Sequence, residues 1–266
     1  MDLKDIERSI IKAYKSKIYA KFLRAIKEYS LVKDGDSICV CISGGKDSFL
    51  MAKCFQELKR HSKFNFDVKY IVMDPGYRKE NLDKIKFNLE LLGIPAEIYK
   101  SNIFEDIKNY DSMCYFCARK RRGFLYAKAQ ELGCNKIALG HHFDDVIETI
   151  LLNILYAGEY KTMMPKLKST NFEGMELIRP MYFIKEKDII SWKNHCSLEF
   201  LDCACTVVEK KFGKRKEIKE LIEKFRKIDK NIDIHIFKSS ENINIDAVLG
   251  YKDEKGSHSF LDKYDM

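Results

Sequence analysis

The stretch Ser37-Ile38-Cys39-Val40-Cys41-Ile42-Ser43-Gly44-Gly45-Lys46-Asp47-Ser48 decides the fold. Ile38 to Ile42 are β-branched or sulfur-bearing residues in a short unbroken run, which reads as a buried strand. Gly44 and Gly45 stop it, and from Asp47 onward Leu50, Cys54 and Leu58 recur four apart, the spacing of one helix face. A strand, a Gly-rich turn and a helix in this order make an anion cradle. Glycines let backbone N–H groups approach a phosphate, the helix start adds partial positive charge, and Lys46 adds a full one. The hydroxyls of Ser43 and Ser48 donate further hydrogen bonds. The spacing is neither G-x-x-x-x-G-K-[ST] nor G-x-G-x-x-G, which removes the usual support for γ-phosphoryl transfer and dinucleotide binding.

Outward from this core the pattern repeats. Strands are expected at Val68 to Met73, Ala96 to Tyr99 and Lys136 to Leu139, with helices at Glu80 to Leu92, Arg121 to Leu132 and Asp144 to Tyr156. Alternating strands and helices imply right-handed crossovers and an α/β fold with an open, mostly parallel sheet covered on both faces. Before it, Met1 to Tyr29 reads as one amphipathic basic helix. After it come a loop to Asn171, a strand ending at Arg179-Pro180, a helix around Lys185 to Cys196 and a charged helix from Glu209 to Lys230. That last helix holds ten Lys/Arg and five Asp/Glu, and the tail to Met266 shows little periodicity. Three parts are expected: a basic N-terminal helix at 1–34, the α/β domain at 35–205 and a basic helical extension at 206–266.

The chain has 266 residues, of which 45% are hydrophobic and 33% charged, enough for a core and a solvated surface. Its most apolar stretch, Val146 to Ala157, is broken by Glu148, Thr149 and Asn153, which argues against a membrane span. The first twenty residues carry Asp2, Asp5, Glu7 and several lysines, which leaves no apolar core for an export signal, so the cytoplasm is the expected compartment. A net charge of +8 suits a polyanionic partner. Nine cysteines in a reducing compartment read as ligands, nucleophiles or small core residues rather than disulfides. Cys39, Cys41, Cys54, Cys134 and Cys196 are read as core residues.

Cys114-Tyr115-Phe116-Cys117 places two thiolates within reach of one metal and is followed by Arg119, Lys120, Arg121 and Arg122. Cations beside thiols lower their pKa, and the pair serves equally as half a zinc site or a redox dithiol. Cys203 and Cys205 lie almost ninety residues further on. Three or four thiolates from these places would hold zinc or an iron–sulfur cluster. Gly140-His141-His142-Phe143-Asp144-Asp145 falls where a parallel strand meets a helix, the edge at which open α/β sheets bind ligands. There Asp144 or Asp145 would bind Mg²⁺, orient a base or cap a helix.

With S-G-G-K-D-S at the strand–helix junction, the sequence resembles the PP-loop (N-type ATP pyrophosphatase) superfamily, with an adenine nucleotide alpha hydrolase-like fold. From Lys21 to Cys205 it further resembles the tRNA 2-thiocytidine synthetase family of iron–sulfur tRNA thiolation enzymes. The carrying residues, in the family's order, are the C-x-x-C followed by A-R-x-R-R-G, the L-G-H-H-x-D-D segment, and M-P-K-L-K-S followed by I-R-P. The resemblance implies an ATP-dependent tRNA sulfurtransferase that adenylates the 2-oxo group of a pyrimidine and replaces it with sulfur.

Carried over residue by residue, the resemblance implies that Ser43, Gly44, Gly45, Lys46, Asp47 and Ser48 hold ATP, with Asp47 on Mg²⁺. Met73, Gly140, His141 and Asp145 would join the nucleotide site, Met73 against the adenine. Cys114, Cys117 and Cys203 would hold a [4Fe–4S] cluster with one iron open. Cys205 is the alternate third ligand, because this chain has Cys203-Ala204-Cys205 where the family shows C-x-x-C. Lys46, Asp47, Asp144 and Cys203 are the candidate catalytic residues. Arg119, Lys120, Arg121 and Arg122 are the candidate tRNA contacts. A sulfur donor such as a cysteine desulfurase and a homodimer belong to the same expectation. The other readings of these residues are a PP-loop ligase or amidotransferase-type enzyme with structural zinc, and a non-catalytic iron–sulfur RNA- or nucleotide-binding sensor.

Overall fold

The computed structural model describes residues 1–106, 113–201 and 213–264, and for 113–115 and 263 the backbone alone. Two units emerge: 1–146 with 163–213, and 147–162 with 214–266. The N-terminal segment thus belongs to the first unit, and the second takes in residues 147–162 as well as the C-terminal part.

In the first unit, six strands form one sheet: β1 (Ser37–Ile42), β2 (Asp67–Asp74), β3 (Ala96–Lys100), β4 (Lys136–Ala138), β5 (Lys166–Lys168) and β6 (Glu176–Ile178). Their order is β3-β2-β1-β4-β6-β5, parallel except for β5, which runs antiparallel at one edge. Successive strands step from β1 to one side and then, at β4, to the other. The chain therefore reverses direction across the sheet between β1 and β4, and the strand ends there leave a crevice. β1 lies at the centre, and all its residues after Ser37 are buried, as a strand covered on both faces requires.

The opposite end of β1 is pinned by a buried polar cluster. Lys136 Nζ lies 2.7 Å from Asp36 and donates to the Leu31 carbonyl at 2.9 Å. Asn135 bridges the Asp36 carboxylate and the Ser37 N–H. Burial works against the Asp36 charge, but the bonds from Lys136, Asn135 and the Lys33 N–H outweigh it and hold the carboxyl below its ordinary pKa.

Helices α3 (Lys46–His61), α4 (Lys79–Leu91), α5 (Ile103–Asp106), α6 (Met113–Glu131), α7 (Phe143–Leu152) and α8 (Glu186–His195) complete the alternation. The N-terminal segment departs from one helix: α1 (Leu3–Ile11) and α2 (Ala20–Glu28) are separated by a turn and a wider π-helical segment, Lys15–Tyr19. The break keeps Ile6, Ile10, Ile18, Phe22 and Ile26 all buried. Lys53 on α3 is fully buried and pairs with Glu7 at 2.7 Å, and the Trp192 indole N–H donates to Ser9 at 3.0 Å. Cys39, Cys41, Cys54, Cys134 and Cys196 are all buried, as expected of core cysteines.

Two further differences concern element limits. α6 starts at Met113, eight residues before the expected helix, so the C-x-x-C stands on the first turns of a helix. The segment read as a loop to Asn171 contains β5, three residues too short for a periodic signal.

In the second unit, α9 (Gly213–Ile228), α10 (Ile232–Ser239) and a hairpin of β7 (Gly250–Asp253) and β8 (Gly256–Ser259) give structure to the tail that lacked periodicity. α9 buries Ile218 and Ile222, while Arg215 pairs with Glu148 at 2.9 Å and Arg226 with Asp233 at 2.8 Å. No helix among the described residues is long and apolar enough to cross a membrane.

Candidate nucleotide site

At the crevice, β1 ends at Ile42 and the chain turns through Ser43-Gly44-Gly45 into α3. Gly44 has φ +90°, and a Cβ there would stand 2.9 Å from Leu201 and 3.0 Å from Ile85. Only glycine meets both conditions. The Gly44 carbonyl accepts from the Leu201 N–H at 3.1 Å, and Tyr77 donates to the Ser43 carbonyl at 3.2 Å. Ser48 ties the turn together: its hydroxyl accepts from the Ser43 N–H at 3.1 Å and donates to the Gly45 carbonyl at 2.9 Å. Gly45 caps α3 with no side chain. The first-turn N–H groups, which lack helical partners, therefore face the crevice as an anion site. Gly140, at the end of β4, abuts this turn so closely that a Cβ would lie 3.2 Å from the Ser48 nitrogen.

A cavity of about 510 Å³ opens over these strand ends. Ser43, Asp47, Ser48, Met73, Gly140, His141 and Asp145 line it, together with Ala118, Arg121, Arg122 and Leu125 of α6 and with Met163 and Arg179. Residues 118, 121, 122 and 125 follow helical spacing, so one face of α6 forms a wall.

Asp47 carries a buried Oδ1 that accepts no hydrogen bond, 3.9 Å from His142 Nε2. Burial raises its pKa, with Asp145 adding to the rise and His142 and Lys46 opposing it. A carboxylate oxygen in this condition, with Asp145 on the same cavity, is the hard-oxygen donor set that suits Mg²⁺ held against phosphates. Lys46 points to Glu186 at 3.1 Å and lies 3.3 Å from Asp47. Burial disfavours its charge, but the two carboxylates win and raise its pKa, so the ammonium stays charged.

The two adjacent aspartates separate. Asp145 lines the cavity and accepts from the His142 N–H at 2.9 Å. Asp144 is buried and accepts from the Glu186 N–H at 2.7 Å, capping α8 from a distant part of the chain. His141 faces the cavity and His142 is buried. Of the cationic run, Arg121 and Arg122 line the cavity, Arg119 is exposed, and Lys120 pairs with Asp106 at 2.9 Å. Cys117 is half-buried, one turn before Arg121. Cys114 stands on the first turn of α6, its side chain outside the described residues, as are Cys203 and Cys205 altogether.

Sequence reading gave Arg179 no site role, quoting it only at a strand end and within I-R-P, and passed over Glu186. Arg179 had a signal, a lone arginine at a strand end followed by proline, whereas Glu186 had none, because only folding carries it beside Lys46.

An open parallel sheet with a glycine-built anion cradle at its reversal point defines a nucleoside-phosphate-binding α/β protein. The chain belongs to the PP-loop domain family, whose model matches residues 14–222. A tRNA-cytidine(32) 2-sulfurtransferase of Geotalea uraniireducens is 36% identical over 225 residues, covering 83% of this chain and 88% of the relative. The tRNA-cytidine(32) 2-sulfurtransferase of Citrifermentans bemidjiense is 38% identical over 205 residues, covering 75% and 80%. Among solved structures, the U34-tRNA thiolase NcsA from Methanococcus maripaludis with its [4Fe-4S] cluster has the same fold. Its TM-score is 0.68 at 23% identity, covering 86% of this chain and 78% of that one.

Proposed function

We propose that the chain is an ATP-dependent tRNA sulfurtransferase that replaces the 2-oxo oxygen of a pyrimidine with sulfur. Cytidine 32, named in its relatives, is the acceptor of choice. The observation that carries this reading is the double use of α6. Its first turns hold Cys114 and Cys117, and its next two turns supply Ala118, Arg121, Arg122 and Leu125 to the cavity over the cradle. The candidate thiolate ligands and the cavity proposed for the nucleotide thus share one helix.

The chain's own groups bind and orient. The cradle N–H groups, Ser43, Ser48 and Lys46 hold the phosphates that leave as pyrophosphate, and Asp47 with Asp145 holds their Mg²⁺. Met73 at the end of β2 provides an apolar seat for adenine. The pyrimidine O2 attacks the α-phosphorus and the bond to pyrophosphate breaks; sulfide-level sulfur then bonds to C2, the C2–O2 bond breaks, and O2 leaves as part of AMP. Catalysis here is positioning and charge stabilisation, with no covalent bond to a side chain of the cradle. Cys114, Cys117 and one of Cys203 and Cys205 would hold a [4Fe–4S] cluster, which when bound supplies an open iron site for the incoming sulfur. We propose a cysteine desulfurase-type donor, a homodimer and a cytoplasmic location, where a reducing medium keeps such thiolates available.

Mass spectrometry of tRNA nucleosides from cells with and without the gene tests the reading. Loss of 2-thiocytidine is expected, with restoration by the wild type and not by Cys114→Ala or Lys46→Ala. Restoration by both variants overturns it. Stoichiometric zinc without iron after anaerobic purification would favour a ligase with a structural metal.

A further inference from the structure

Arg179 follows the last residue of β6 and is 6% exposed, yet it lines the cavity. Its backbone is fixed by a bond from its N–H to the Pro165 carbonyl at 2.9 Å, and Nη1 donates to the Met164 carbonyl. The buried Nε has no hydrogen-bond partner, and among the described residues no carboxylate lies within 4.0 Å of the guanidinium. The charged groups that face it are Arg122, which repels it, and Asp145, more weakly felt, with the Tyr182 and Tyr126 phenols beside them. Burial depresses its pKa to about 10, so at neutral pH it remains a cation. Buried charges are normally paired. Here a fixed guanidinium has carbonyl and phenol neighbours, a second guanidinium nearby, the Asp145 carboxylate only beyond ion-pair distance, and an open cavity in front of it.

The place of this group in the sheet indicates its counter-ion. Met73 is the penultimate residue of β2 and Arg179 follows β6, with β1 and β4 between them. The cavity therefore spans three strand spacings, about 14 Å. An extended nucleotide with its base at Met73 passes over the cradle and directs its phosphates toward β6. A group so buried is open to a small anion and closed to the backbone of a large nucleic acid.

We propose that Arg179 is a phosphate-binding residue that grips the β- and γ-phosphates of ATP, the pair released as pyrophosphate, from the side of the cavity opposite Met73. A guanidinium offers two parallel N–H donors to a phosphate, and the released pyrophosphate carries more charge than the bound ester, so the grip strengthens as the bond to the α-phosphorus breaks. This inference rests on the ATP reading of the cavity.

Calorimetric titration of the purified full-length protein with adenosine, ATP and inorganic pyrophosphate, each with Mg²⁺, tests it. Arg179→Gln is expected to weaken ATP and pyrophosphate by about tenfold or more and to leave adenosine within about twofold. Arg179→Lys, which keeps the charge and loses the fork, is expected to fall between. Retained adenosine binding shows that the variants fold. Unchanged ATP and pyrophosphate affinity in Arg179→Gln overturns the proposal alone, as does an equal loss of adenosine. Failure of the wild type to bind ATP or adenosine overturns the ATP reading, and this proposal with it.

Discussion

Lys46 Nζ lies 3.1 Å from Glu186 Oε1, so the cationic residue of the cradle is tethered to the first residue of α8, a helix that begins 140 positions later. The tether keeps a half-buried ammonium charged and beside the glycine turn. Lys46→Ala is expected to lower ATP-dependent tRNA thiolation by about 10² to 10³-fold, the usual loss of one preorganised donor. Glu186→Gln retains the ammonium and removes its holder. Its effect should fall mainly on the KM for ATP, read from pyrophosphate release. A Lys46→Ala enzyme of normal rate would show that the ammonium does not act on phosphate.

Gly44 and Gly140 shape the cradle in different ways, and their substitutions should separate. At Gly44 an alanine meets both a positive φ and Leu201 at 2.9 Å, so Gly44→Ala should cost about 1 to 3 kcal/mol of stability along with nucleotide binding. At Gly140 the obstacle is the backbone at Ser48 and Asp47. Gly140→Ala should therefore displace the cradle and weaken ATP more than it weakens the fold. Urea unfolding beside ATP titration distinguishes the two patterns.

Asp144 supplies what Lys185, at the start of α8, does not: a side-chain acceptor for the helix's first N–H. Asp144→Ala should destabilise the protein by about 1 kcal/mol, the value of a helix cap. It should also loosen Glu186 and so raise the KM for ATP. Normal stability in that variant would leave the cap without energetic weight.

Asp36 gives a pH signature. Its folded pKa lies below the ordinary value, so the stability it contributes is complete above the unfolded pKa, about 3.9, and is lost as pH falls through the lower folded value. Asp36→Asn leaves Lys136 with Glu176 at 3.4 Å as its remaining carboxylate and should cost about 3 kcal/mol at pH 7. The difference from wild type should start to shrink below about pH 4, where the unfolded carboxyl takes up its proton, and vanish only below the lower folded pKa. Denaturant midpoints across pH 3 to 7 measure it, and a gap that does not vary with pH would mean that the pair carries no linked stability.

The α/β class was legible because Ile38 to Ile42, the following glycines and the helical spacing after Asp47 are local signals that agree with one another. The same holds for the cradle, whose function depends on consecutive backbone groups. α6 was cut short at Arg121, since Gly123 and the cysteine and arginine run mask its periodicity, and β5 was too short to show any. The N-terminal break at Lys15–Tyr19 was hidden because the apolar residues nearly keep one register across it.

By itself the sequence determined the strand–turn–helix unit, the cysteine pair Cys114 and Cys117, and an excess of cations beside it. Only the tertiary structure decided which cations face the nucleotide cavity. It turned Arg121 and Arg122 inward, sent Asp144 to cap α8 while Asp145 stayed at the cavity, and brought Arg179 and Glu186 to the site from beyond β6. The physical reason is range. Backbone conformation and helical spacing are set by near neighbours, whereas the partner of a buried charge is set by which strand ends the sheet order places side by side.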